Sequence, residues 1–530
     1  MKFYIATSIP YVNGPPHIGH ALEFLQADAI ARYRRIKGDD VFFLTGTDEH
    51  GAKIARAAEA AKKTPQDFVD ENAGMFSNLI AKLFVEPNAQ IRTSDKKRHW
   101  PGAGELWRRI AKQNDIYKGT YKGLYCVGHE AFVTEKDLKN GICEDHGKPP
   151  EYIEEENYFF RLSEYGEAIR KRIESNEVEI FPAHRRNEVL AFLADGISDI
   201  SFSRPAEDIS WGVPVPDDPA HTMYVWCDAL SNYVTGLGFG SDTLETFEKY
   251  WPCDMHVIGK DIVRFHAVIW LGMLLSAGLP LPKRILVHGH IHAGGKKMSK
   301  SLGNVIDPFA LLEKYGSEAV RYVLLGNVST FDDGDLTEER IYDIYTAHLA
   351  NGIGNLVSRT TAMAAAYTAG HLTRPSDILL AAVPLKTDID ILGIKNRDME
   401  IGSSTVSYFL EQTTYARYNE AMQAYRLHDA LQEIMRLFHV LDGYIQDYEP
   451  YKLIKSDKAQ AEAVLWNLAY ALHGSVLLLM PFMPETANCI AKVLGVKATD
   501  PFDSARKEYA VSKSEALFPR VKGPQEEFVI

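Results

Sequence analysis

Cysteine is scarce in this chain: five residues in 530, at positions 126, 143, 227, 253 and 489. So thin a scatter makes no disulfide framework, and a reducing cytoplasm is the expected setting. Long hydrophobic runs are lacking as well. The longest uncharged apolar stretches, 267–282 and 468–484, contain Gly, Ser and Pro and fall short of the roughly 20 residues that a bilayer span needs. The opening MKFYIATSIPYVNG turns polar too early for a signal peptide, so neither a leader nor a membrane segment is expected. Net positive charge is also missing. A formal charge of −13 repels polyanions at long range, so any nucleic-acid partner must be met by local basic patches. Residues 32–37, 96–98, 185–186 and 452–458 offer such patches, each of which is equally a solvated face when taken alone.

What is present is ordinary globular composition, 46% hydrophobic and 24% charged, over a length that implies two to four domains. Residues 2–7 read as a buried strand. Ile18, Leu22, Leu25, Ala29, Tyr33 and Ile36 then step at helical spacing, with Pro16 suited to the first turn and Gly38 to the position past the end. A second strand at 40–46 makes this the start of a parallel α/β sheet. Between about 116 and 220 the texture changes to short strands, turns and acidic runs such as EYIEEENYFF, as in an insertion with its own small core. Strand and helix signals resume in TMYVWCDAL, DMHVIGKDI and RILVHGHI. After about residue 345 they give way to helix alone: Leu427, Leu431, Ile434, Phe438, Leu441 and Ile445 form the apolar stripe of a bundle helix. Residues 369–402 form the loosest connection. The expected fold is α/β, a Rossmann-like parallel sheet split by a connective insertion and followed by an all-α bundle. The expected parts are 1–115 and 221–295 for the sheet, 116–220 for the insertion, 296–345 for a loop and stem-contact region, and 346–530 for the bundle.

Two short stretches carry chemistry. PPHIGH sets His17 and His20 on one face of a helix start, where free backbone N–H groups and the helix dipole favour an anion; two surface histidines are the plainer alternative. GGKKMSKSLGN, residues 294–304, concentrates lysines between glycines, which is either a solvated turn or a mobile cationic loop. The first βα unit has neither GxGxxG nor GxxxxGK[ST], which disfavours dinucleotide and P-loop sites.

Taken together, HIGH after the first strand and KMSKS late in a split α/β sheet resemble the two signatures of the class I aminoacyl-tRNA synthetases. The resemblance implies an ATP site of His17, Gly19, His20, Gly259, Lys260, Asp261, Lys297, Met298, Ser299 and Lys300. In that site His17, His20, Lys297 and Lys300 act on the phosphates and on the departing diphosphate, with Mg2+ accompanying ATP. The stretches SIPYVNGPPHIGH, GTDEHG, YVWCDALSNY, GKDIVRFH and NLVSR are similar to the methionine-specific members of the family in particular. They imply L-methionine as substrate, its side chain lodged among Ile9, Tyr11, Trp226, Ala229, Tyr233, Phe265, His266 and Trp270 and its ammonium on Asp48. A thioether gains from aromatic edges, although core packing explains any one of these aromatics equally well.

In the insertion, Cys126, His129, Cys143 and His146 form two C-x-x-H pairs, which the resemblance marks as a structural Zn2+ knuckle or its metal-free remnant. In the helical half, Asn355, Arg359 and Tyr451 are implied to read the anticodon of tRNA(Met), the initiator included. No Lys-rich linker and oligonucleotide-binding barrel follow the bundle, so a monomer is expected. The function so implied is ATP-dependent activation of methionine and its transfer to the 3′-terminal ribose of tRNA. A synthetase for another apolar amino acid, a non-catalytic paralogue and a small adenylyltransferase are the competing readings.

Overall fold

Unbroken apolar strands need cover on both faces, and the six-stranded sheet of the first unit is built on that requirement. Its strands are β1 (Lys2–Thr7), β2 (Asp40–Thr47), β3 (Ala89–Arg92), β4 (Glu179–Phe181), β5 (Met255–Gly259) and β6 (Arg284–His288), in the order β3-β2-β1-β5-β6-β4. Every neighbouring pair is parallel. Five consecutive residues of β1 and all five of β5 are buried, including His256. These coordinates are a computed structural model that describes residues 1–126, 131–133, 138–143, 147–298, 306–386, 405–503 and 505–523, with backbone alone at 121, 131, 132, 153 and 297.

The chain divides into two compact units, Met1–Ala27 with Gly38–His290, and Asp28–Lys37 with Ile291–Ile530. Helix α1 (Ile18–Ile36) contributes its first turns to the former and its remainder to the latter. Its expected stripe is buried from Ile18 to Tyr33, whereas Ile36, at the helix end, is 39% exposed. Gly38 turns the chain with φ 85°.

Within 116–220 short strands do occur, at Ile200–Ser201, Ser203–Pro205 and Pro214–Val215, but β4 in that range belongs to the main sheet and two of the strands are long. Ile116–Cys126 and Glu151–Phe160 form one long antiparallel ribbon, in register from Ile116↔Phe160 to Tyr125↔Glu151. The acidic run is a strand because its glutamates face lysines across the ladder, Glu154 opposite Lys122 at 2.6 Å and Glu156 near Lys118 at 3.7 Å. At the ribbon's base Phe160 stacks on Phe202 and Phe202 on Trp107, joining the insertion to the core of the sheet.

The second unit is mainly helical: α2 (Asn355–Thr368), α3 (Leu427–Tyr448) and α4 (Lys458–Leu479) are its longest described helices. All six stripe residues of α3 are buried, as their spacing requires. By length and composition α4 could cross a membrane, but 89% of its apolar window is buried inside the fold. Strand is not absent after residue 345. His371–Thr373 pairs antiparallel with Glu508–Ala510, a link of more than 130 positions that no local pattern announces. Asp28 is fully buried and holds Arg32 and Arg321, each at 2.8 Å, while Arg321 also donates to the carbonyl of Phe482. A buried carboxylate is tolerable only with partners of this kind. In the expected loose connection, Asp377–Ala381 is a short helix, and 387–404 lie outside the described residues.

Candidate active site

Strand order reverses between β1 and β5, and in an open parallel sheet the crevice at the carboxyl ends of such strands is the place for a ligand. The chain leaves β1 through Pro10, which accepts from the amide of Asp48 while Val12 donates to the carbonyl of Asp48. These two bonds lay the end of β2 beside the end of β1. Pro16 and His17 precede α1 rather than opening it. The His17 carbonyl accepts from the amides of His20 and Ala21, so His17 caps the helix.

The two imidazoles stack at 3.7 Å, 21° from parallel. His17 Nδ1 accepts from the Gly19 amide at 3.1 Å and His20 Nδ1 from the His17 amide at 3.2 Å. In a neutral ring with Nδ1 accepting, the proton sits on Nε2. Burial, then the neighbouring His17, hold His20 well below the ordinary imidazole pKa, so at neutral pH it is an uncharged Nε2–H donor. The same crevice receives Gly259, Lys260 and Asp261 at the end of β5. A Cβ on Gly259 would stand 2.9 Å from Asp261 Oδ1, so the backbone passes there without a side chain. Partial desolvation would raise the Asp261 carboxyl, whose side chain is 67% exposed, but His290 at 3.4 Å and His288 outweigh it and hold it at about 2.

Several participants escaped the sequence reading. Glu23, on α1, accepts from Ser8 Oγ at 2.5 Å and faces His288 Nε2 at 3.0 Å. Burial opposes protonation of His288, yet Glu23 raises its pKa. His50 and His99 both contact Asp228 at 2.6 Å. Burial would raise the Asp228 carboxyl, but His50 and then His99 bring it to about 2. Only the GTDEHG and YVWCDAL stretches hinted at these residues, because the partners lie more than a hundred positions apart.

Of the residues expected to line a side-chain pocket, two groups come together, Trp226 with Phe265 and Tyr233 with His266 and Trp270. Trp226 and Phe265 stack at 3.7 Å, 12° from parallel, both half-buried. Tyr233 and His266 meet at 2.6 Å between the hydroxyl and Nε2, and His266 Nδ1 lies 2.9 Å from the Ile262 carbonyl. The carbonyl can only accept, so the ring carries its proton on Nδ1 and takes the Tyr233 hydroxyl proton at Nε2. Burial lowers the His266 pKa to about 4. Trp270, fully buried, donates to His256 Nε2 at 3.3 Å and lies beside Tyr233. Phe265–Trp270 is a π-helical turn, a distortion frequent at functional sites. Ile9 and Tyr11 are half-buried, Ala229 is buried, and Asp48 is 8% exposed.

The lysine loop belongs to the second unit. His292↔Lys297 and Ala293↔Lys296 pair across a two-residue turn of Gly294 and Gly295, with φ 62° and 73°. Left-handed φ at both central residues is the demand of a tight hairpin, so these glycines shape a turn. The Gly295 amide donates to Asp335 at 2.9 Å. Met298 is half-buried, while Ser299 and Lys300 lie outside the described residues. Of the expected metal ligands, Cys126 ends a strand and Cys143 starts a bridged turn with Lys148, both buried. His129 and His146 lie outside the described residues. On the second unit's surface, Asn355 is exposed and Arg359 is held by Asp442 at 2.7 Å. Tyr451, 40% exposed, donates to Glu449, whose hydrogen bond raises the phenol's pKa against the opposing pull of Lys452 and Arg359.

A family model described as tRNA synthetases class I (M) matches residues 3–137 and 133–361, and one for the anticodon-binding domain of tRNA ligase matches 411–522. The methionine–tRNA ligase of Rhizobium meliloti (strain 1021) is 41% identical over 535 residues, covering 99% of each chain. That of Thermotoga maritima is 42% identical over 92% of this chain and 74% of its own. The solved Mycobacterium tuberculosis methionyl-tRNA synthetase bound by methionyl-adenylate has a TM-score of 0.88 at 37% identity, over 98% of this chain and 100% of that one. Its apo form scores 0.81 at 34% identity, over 99% of each.

Neutral His266 has a measurable consequence. The unfolded imidazole titrates near 6.5 and the folded one at about 4, so only the unfolded chain takes up the proton between these values. Its contribution to stability is flat above pH 6.5 and falls by roughly 3 kcal/mol as pH drops to about 4. Urea denaturation of His266→Gln should lose stability less steeply than the parent across that window. Equal slopes would show that His266 takes up its proton as readily in the fold as in the unfolded chain.

Proposed function

The chain belongs to the class I tRNA synthetases of the methionine branch, and from that premise we infer how its residues divide the work. It is an aminoacyl-tRNA synthetase that joins methionine and ATP into methionyl-adenylate and passes the methionyl group to tRNA. The crevice between β1 and β5 supports the residue assignment most directly. There the stacked His17 and His20, the acidic corner at Asp261 and the aromatic pocket all belong to one compact unit.

In the first step a methionine carboxylate oxygen attacks the α-phosphorus, an O–P bond forms, and the bond to the departing diphosphate breaks. The protein supplies no nucleophile; it positions the reactants and meets the developing charge. Asp48 takes the substrate ammonium. Trp226, Phe265, Ala229, Tyr233 and His266 enclose the thioether, with Ile9 and Tyr11 at its edge and Trp270 behind. His17 and His20 offer Nε2–H groups to the phosphates, His20 as a neutral donor, and Gly19 lets the backbone approach. Gly259, Lys260 and Asp261 border the nucleoside. Positive charge comes from Lys297 and Lys300, with Met298 and Ser299 carrying the loop between them. Mg2+ accompanying ATP would neutralise part of the triphosphate charge.

Cys126 and Cys143 are two buried thiols, soft donors suited to zinc, and with His129 and His146 they would complete a structural tetrahedral site. For tRNA(Met), initiator included, Asn355 and Arg359 lie four apart on α2, and Tyr451, whose phenol feels the charge of Arg359, offers its ring for stacking. Arg359 must exchange Asp442 for a base edge when the anticodon docks. The enzyme acts as a monomer in the cytoplasm.

Lys300→Ala should bind methionine normally yet lose about two orders of magnitude in pyrophosphate exchange. Near-parental exchange would remove the loop from catalysis, and a parallel panel of amino acids should give exchange with methionine alone. Asn355→Ala and Tyr451→Ala should each lower kcat/KM for tRNA charging about tenfold while leaving pyrophosphate exchange intact. Unchanged charging in both would relocate the anticodon surface. Elemental analysis of protein purified without added metal should find one zinc per chain, and a content near zero would discard the metal.

A further inference from the structure

Asp228 is fully buried, and each of its carboxylate oxygens is committed to a different histidine. Oδ2 meets His50 Nδ1 and Oδ1 meets His99 Nε2, both at 2.6 Å. The far nitrogen of His99 contacts Thr235 Oγ1 at 2.8 Å. One carboxylate thus ties together three segments that are remote in sequence: the end of β2, the start of helix Trp100–Lys112, and helix Val225–Leu230. The placement of these segments gives the contact meaning. His50 stands two residues after Asp48, and Asp228 lies between Trp226 and Ala229. Glu49, on the other side, is immobilised independently. Its carboxylate accepts from Arg92 at 2.6 and 2.9 Å and from Thr47 at 2.5 Å, and its amide donates to Thr93 at 2.9 Å. Asp48 is therefore followed directly by two pinned residues, one on the β3 side and one on the pocket side.

With both oxygens occupied by imidazoles, Asp228 has no direct business with a substrate. Its influence passes through what it holds. We propose that Asp228, with His50 and His99, is a positioning set that fixes the separation between the ammonium anchor Asp48 and the pocket wall of Trp226 and Ala229. The site then measures an amino acid between two points, its charged head and its thioether tail. This rests on the assignment of Asp48, Trp226 and Ala229 made above. The wall itself is braced elsewhere, by the Trp226–Phe265 stack and the Tyr233–His266 bond, so loss of the Asp228 charge should loosen the head of the site and spare its tail.

The test compares two ligands that share a tail. L-Methionine carries the ammonium, and 4-(methylthio)butanoate lacks it. In equilibrium dialysis Asp228→Asn should bind methionine about tenfold more weakly, the scale of one impaired charged hydrogen bond, and the desamino analogue as the parent does. KM for ATP should not move. An equal loss for both ligands, or no loss for either, overturns the proposal, since the first is general damage and the second is no role. Asp48→Asn in the same assay separates the two levels. If it too leaves methionine affinity unchanged, the ammonium assignment fails and the positioning role with it; a loss there with none in Asp228→Asn overturns the positioning role alone. Should Asp228→Asn not fold, His99→Gln, which keeps a donor for Oδ1, should retain methionine affinity while His99→Leu loses it selectively. Equal affinity in that pair also overturns the proposal.

Discussion

The pairing of β1 with β5 joins residues 250 positions apart, Ile5 opposite Met255 and Thr7 opposite Val257. Every other feature of the first unit depends on it. The antiparallel ribbon inserted between these strands leaves and returns at one place, because Ile116 pairs with Phe160. Parallel pairing puts both strands' carboxyl ends on one edge, so the chain after β1 and the chain after β5 open into the same crevice. An anion can be met there by a helix start, and a side chain can be enclosed by the turn at Phe265–Trp270.

Charge in this crevice is managed by desolvation and by specific partners, which act in opposite directions on chemically identical groups. His20, His256 and His266 are pushed down by burial and stay neutral. His288 is equally enclosed but is raised because Glu23 faces it. The difference leaves His20 a neutral hydrogen-bond donor at the helix start. Asp228 is a carboxylate kept ionised by imidazoles despite full burial, whereas Asp261 is largely exposed; only the first has both oxygens engaged by imidazoles.

The second unit manages charge by ion pairing. Asp28 is closed off by Arg32 and Arg321 deep in the fold, where an unmatched charge would be severely destabilising. Arg359 and Asp442 form a half-exposed pair, which solvent makes easy to exchange for another ligand. The same residue types therefore do structural work in one place and remain exchangeable in another, and burial separates the two.

Local pattern alone determined a good deal. The spacing of Leu427 to Ile445 yields a helix because one face must be apolar, and HIGH and KMSKS carried the family by resemblance. Pro16 misled by two residues, since α1 begins at Ile18 and the carbonyl that caps it belongs to His17. The acidic ribbon was legible as a change of texture but not as a long strand, because its stability comes from lysines some 30 positions away. His50, His99, Asp228, Glu23 and His288 carried no readable role in the linear order. Tertiary structure alone decided which histidines are neutral and which carboxylates have both oxygens engaged, because those properties belong to the space around a group, and that space is filled by residues brought in from distant parts of the chain.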